Sequence, residues 1–145
     1  MDYLDIQANF VMAIRGSRSQ RNLNKLLKMT PHRIHRLEKK KSFLKWTEFV
    51  SMCEYRNIDI CNLVRSTLEL PLTSMSHIHL IDIFEMSYPN FPSLKTLNEI
   101  SRFKIYRWQK GLCEPKFTDI LRIIDSESNR FEEFSKKLME YAAIK

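Results

Sequence analysis

The sequence predicts an all-α protein. Of its 145 residues 43% are hydrophobic, enough to build a core and to argue against global disorder. Only two glycines occur in the chain, and runs in which apolar and polar residues alternate are few. Strand-and-turn architectures use glycine freely and show a period of two, so both observations favour helices.

The helices follow in order. The first spans about 2–15, with Phe10 and Ile14 four apart on a core-facing side. A second covers 19–28. The third, 31–40, has Thr30 as its expected N-cap, and Pro31 suits the first position because its missing N–H would be unpaired anyway. Ile34 and Leu37, three apart, face the core. Segment 46–56 carries Cys53, read as a small, reduced core residue. Segment 60–68 is capped by Asp59, and Pro71 ends it within "ELPLT" (69–73), a joint between two units at 1–70 and 74–145. Helices at about 74–87 and 92–99 flank "SYPNFP" (87–92), a loop because of its two prolines. Ile78, Ile81 and Met86 read as core there. Ser101 caps a helix at 102–110 whose Trp108 points inward, and segments 116–125 and 130–143 complete the chain.

The two units are expected because the chain repeats itself. A shift of 71 positions aligns "LNKLLKMTPHRIHRLEKKKSFLKWTEF" (23–49) with "LKTLNEISRFKIYRWQKGLCEPKFTDI" (94–120). Seven of these 27 pairs are identical, among them Ile34/Ile105, Arg36/Arg107 and Lys45/Lys116. Ordinary residue usage gives about one or two. Arg33/Lys104 and Glu48/Asp119 keep their charge. Internal duplication accounts for the match.

Charge is concentrated. From Arg15 to Lys45 there are eleven Lys or Arg and one acid, whereas residues 72–145 carry a net charge of only +1. A solvated face normally mixes acids among its bases, so this block reads as the footprint of a polyanion. No run of apolar residues is long enough for a membrane span, and a soluble, cytoplasmic protein without membrane association is expected.

"SQRNLNKLLKMTPHRIHRLEKKK" resembles the helix-turn-helix of Cro/cI-type (lambda-repressor-like, XRE) DNA-binding domains. Ser19, Gln20, Leu23, Leu27, Thr30, Ile34, Arg36, Leu37 and Glu38 stand at the family's pattern positions. In the second unit Ile105, Arg107, Gly111 and Pro115 match. The resemblance implies two tandem five-helix domains of this type. Its usual small residue in helix two is Asn24 here, and the turn glycine is Lys28; a non-glycine residue at a left-handed position costs about 1 kcal/mol, so a turn of different shape is expected. Arg15 is the expected partner of Glu38, following a pairing common in the family.

The resemblance also implies a function: sequence-specific binding of double-stranded DNA by a transcriptional regulator. Helix 31–40 is expected to enter the major groove, with helix 102–110 as a second candidate reader. On helix 31–40, His32, His35, Arg36 and Lys39 face outward, with Arg33 flanking them. Arg36 suits a guanine edge, and Gln20, Lys40 and Lys41 suit phosphates. The full expected DNA-contacting set adds Arg18, Thr30, Arg102, Phe103, Lys104, Arg107, Lys110 and Lys116. Phe103 and Tyr106 equally fit a protein interface, so the alternative is an interaction module whose second unit dimerises or docks a partner. The histidine pairs His32/His35 and His77/His79 lack further ligands at metal spacing, so no metal or cofactor is expected. Neither a catalytic triad pattern nor a phosphate loop is evident, so no enzymatic activity is expected.

Overall fold

The computed structural model describes residues 2–68, 102–127 and 129–143. Within them lie eight helices and no strand: α1 (Tyr3–Arg15), α2 (Gln20–Leu26), α3 (Arg33–Glu38), α4 (Trp46–Tyr55), α5 (Ile60–Leu68), α6 (Arg102–Gln109), α7 (Phe117–Glu127) and α8 (Phe131–Ala143). The all-α expectation holds. The joint at 69–73, the helices at about 74–87 and 92–99, the loop between them and the Ser101 cap lie outside the described residues.

Helix starts follow local capping. The Asp2 carboxylate accepts the Leu4 N–H, Ser19 Oγ accepts the Asn22 N–H, and Asp59, as expected, accepts the Asn62 N–H. The start of α3 departs from expectation. Thr30, Pro31 and His32 form a turn, His32 takes φ 65°, and the helix begins at Arg33. Thr30 is therefore not the cap. The acceptor comes from the neighbouring helix instead: Asn24, buried in α2, accepts the Ile34 N–H through Oδ1 at 3.0 Å. This explains why a small residue does not stand at that position.

A single core runs through both parts of the sequence. Phe10, Phe49 and Phe117 form a triangle with ring centroids 5.1, 5.7 and 4.4 Å apart, and the closest pair, Phe49 and Phe117, is stacked. Ile14, Ile34, Leu37, Cys53 and Trp108 are buried around it, as the sequence implied. α1 lies at the centre, against α3, α7 and α8. Tyr3 ties its first turn down by donating to the Asp125 carboxylate at 2.6 Å and packing edge-on to Phe131. Fully buried Gln7 donates to the Ser42 carbonyl at 2.9 Å and accepts the Leu44 N–H at 2.8 Å. That pair of bonds satisfies a loop that would otherwise bury unpaired backbone. At the other end of α1, Arg56 closes on the Ile14 carbonyl at 2.6 Å. Among the described residues no helix is long and apolar enough to cross a membrane.

Two substitutions probe these local arguments. Asn24→Ala leaves a buried N–H without an acceptor and is expected to cost about 1–3 kcal/mol in urea unfolding. Against the expectation of a reshaped turn, Lys28 keeps the left-handed conformation at φ 55° despite its side chain. Lys28→Gly relieves that conformation and is expected to gain about 1 kcal/mol in the same measurement.

Candidate nucleic-acid interface

A six-residue helix is too short to hold its own direction, so α3 must be braced from outside. Ile34 and Leu37 bury the inner side completely. Glu38 receives a two-bond clamp from Arg15, at 3.0 Å and 2.8 Å, as the sequence suggested. Gln20 also donates to Glu38, at 3.3 Å, which commits one amide hydrogen of a side chain expected to meet phosphate.

Arg33 corrects the sequence reading. Expected at the edge of the outward face, its guanidinium instead donates to Glu48 at 3.0 and 2.7 Å, to the Phe43 carbonyl at 2.6 Å and to Ser42 Oγ. Its side chain retains 12% exposure. The loop after α3 folds back over it, so Arg33 locks α3 to α4 and does not reach outward. Burial alone would raise the Glu48 carboxyl pKa. The Arg33 hydrogen bonds, the Lys45 N–H and the charges of Arg33 and Lys45 outweigh it and hold the pKa below its ordinary value of 4.5.

What remains outside is compact. His32, His35, Arg36 and Lys39 recur at helical spacing on one side of α3; all are exposed except Arg36, which is half-buried. Among the described residues none of the four side chains makes a hydrogen bond or ion pair. Thr30 and Lys41 are likewise exposed. Lys40 differs: it sits at φ 60° past the helix end and its ammonium binds Asp5 at 2.6 Å. Arg18 donates to Asn22 at 3.3 Å and lies over the Tyr55 ring, away from this side.

The arrangement around α3 recurs 71 positions later. α4 and α7 start at 46 and 117, α5 and α8 at 60 and 131. Lys104 binds Asp119 at 3.1 Å, as Arg33 binds Glu48. The Lys116 N–H donates to Asp119 at 3.0 Å and the Lys45 N–H to Glu48 at 2.8 Å. α3 and α6 end alike: Lys41 N–H to Arg36 O and Leu112 N–H to Arg107 O, both 2.9 Å, with Lys40 and Gly111 at positive φ. This is the Schellman ending, in which glycine is favoured at the left-handed position.

The equivalent segments also meet. Lys45 and Lys116 form an antiparallel bridge, with the Trp46 N–H donating to Pro115 O at 3.0 Å and the Phe117 N–H to Leu44 O at 2.9 Å. Shifting each partner by 71 turns one bond into the other, so the seam has a local two-fold axis. Beside it lies a groove of about 630 Å³ whose walls include Lys28, Arg33, Arg36, Lys45, Thr47 and Lys116. A second groove, about 530 Å³, separates α2 from the His32–His35 edge of α3.

α6 offers a different surface. Phe103 is 68% and Tyr106 51% exposed. Arg107 lies over the Phe103 ring and Lys110 over the Tyr106 ring, each four residues on, while Lys104 is held by Asp119. The Arg102 side chain is outside the described residues. Sequence reasoning missed Lys28 and Lys45. The identity of Lys45 with Lys116 in the repeat was the signal for the second. No protein-family model, curated protein or solved structure matches this chain.

Because the Glu48 pKa is depressed on folding, the Arg33–Glu48 pair stabilises the fold above about pH 4.5 and the contribution is lost as pH falls further. Glu48→Gln is expected to lower stability at neutral pH and to shallow its decline below that value, followed by urea denaturation across acidic pH.

Proposed function

We propose that this chain is a sequence-specific double-stranded DNA-binding protein that regulates transcription, built as two fused helix-turn-helix units. The observation that carries the reading is the outer side of α3. Arg33 and Glu38 are consumed by internal ion pairs, while among the described residues the side chains of His32, His35, Arg36 and Lys39 make no hydrogen bond or ion pair. A short cationic helix, rigidly braced and open on one side, suits the major groove. Arg36 presents the fork that binds guanine O6 and N7, His32 and His35 offer adaptable donors and acceptors, and Lys39 and Lys41 answer phosphates. Gln20 stands beside them with one amide hydrogen in hand.

The reciprocal hydrogen bonds at Lys45–Lys116 and the repeated ion pairs support common descent of the two parts. In a two-fold dimer, symmetric reading helices favour palindromes. Here α3 and α6 carry different outward residues, so the preferred site is asymmetric. A second reading is favoured by Phe103 and Tyr106: their exposure and the cations over their rings fit α6 as the docking surface for a protein partner.

Selection from random duplexes is expected to enrich one non-palindromic sequence. Arg36→Ala should then lose about 1–3 kcal/mol of discrimination at one base pair. Enriched perfect palindromes, or no retardation of any duplex at low salt, would overturn the proposal. The latter result would favour α6 docking instead.

A further inference from the structure

The seam contains a feature that folding alone leaves unexplained. Lys45 and Lys116 oppose each other directly in the antiparallel bridge, and the bonds flanking them define the pair type whose side chains stand closest. Directly opposed side chains share a face, and like charges there repel. Both residues are exposed, and among the described residues neither ammonium forms an ion pair with a carboxylate, while the Lys45 charge acts on Glu48 from farther away. Glu48 is already engaged by Arg33, and Glu114 accepts a hydrogen bond from Thr47. The Lys116 ammonium rests 4.2 Å over the Phe43 ring, which positions the charge without cancelling it. Lys28 and Arg36 line the same groove. Cations from both parts of the sequence thus converge on one groove in which Glu48 is the acid, and that acid is already bonded to Arg33.

We infer that Lys45 and Lys116 form a clamp for a phosphodiester backbone, lying across the seam and contacted from both sides of its two-fold axis. The inference rests on the DNA reading above and extends it, because these lysines touch no base and act on every sequence alike. A backbone over the seam turns mutual repulsion into shared attraction. Arg36 faces the same groove, so the clamp and the α3 reading surface address one ligand.

The test compares the intact chain with Lys45→Gln, Lys116→Gln and the double variant, using anisotropy of a labelled random-sequence duplex over a range of salt. Lys136→Gln, exposed on α8, is the control. Each seam substitution is expected to weaken binding roughly five- to tenfold at about 0.1 M salt, and the double variant to shallow the salt slope by about 1.8. The ratio of selected-site to random-duplex affinity stays unchanged. Without DNA, the double variant should show a higher urea midpoint, since the repulsion is gone. If the wild type binds and the double variant keeps its affinity and slope, the clamp is overturned and the DNA reading stands. Absence of wild-type binding removes both. A lowered urea midpoint would show that the lysines stabilise the seam and would overturn the argument from repulsion.

Discussion

The Arg33–Glu48 ion pair is the constraint from which the rest of the candidate interface follows. α3 has six residues, far below the length at which a helix stands by itself in water. Its direction is set by what holds it: Arg33 to α4, Glu38 to α1 and α2, Asn24 beneath its first turn. Each ion pair uses a charged side chain of α3 that would otherwise look outward. The outer residues are those left over when the bracing is complete, which is why they form a narrow, consistent set. The pair is largely sheltered and multiply hydrogen-bonded, so its worth lies in fixed geometry more than in net stability.

The corresponding pair at Lys104 and Asp119 shows how the same constraint survives a change of residues. A guanidinium reaches Glu48, Ser42 and the Phe43 carbonyl together, whereas the single ammonium of Lys104 reaches Asp119, which also receives Arg122 at 3.4 Å. The shorter aspartate is almost wholly buried, and three donors converge on it. One arrangement braces a helix by reach, the other by convergence on a buried acid. Under the proposed duplication, bracing was retained while the outward surfaces came to differ, histidines on α3 and aromatics on α6.

Much of this was legible in the sequence, and the boundary is physical. Helical period placed Phe10, Ile14, Ile34 and Leu37 inside, and all are fully buried. The Arg15–Glu38 pair and the Asp59 cap were also readable, one from the family resemblance and one from capping chemistry. Arg33 was not. Its helix position sits at the margin between faces, and the loop at Ser42 and Phe43 that covers it belongs to tertiary structure. The start of α3 was misread because Thr30 and Pro31 satisfy every local rule for a cap, yet Asn24 supplies the acceptor from a different helix. Gln7 carries no pattern at all, since its partners are backbone groups 35 and 37 residues away.

The stacked rings of Phe49 and Phe117 carry a historical consequence. An ancestral pair of separate chains would have been free to exchange partners, and each surface change would have appeared twice. Under the proposed duplication, the aromatic wall of Phe10, Phe49 and Phe117 joins residues of both portions within one polypeptide. Under that proposal the two outer faces, His32 and His35 on one side and Phe103 and Tyr106 on the other, are free to differ. The reciprocal bonds at Lys45 and Lys116 then keep a local two-fold relation that the outer residues no longer obey.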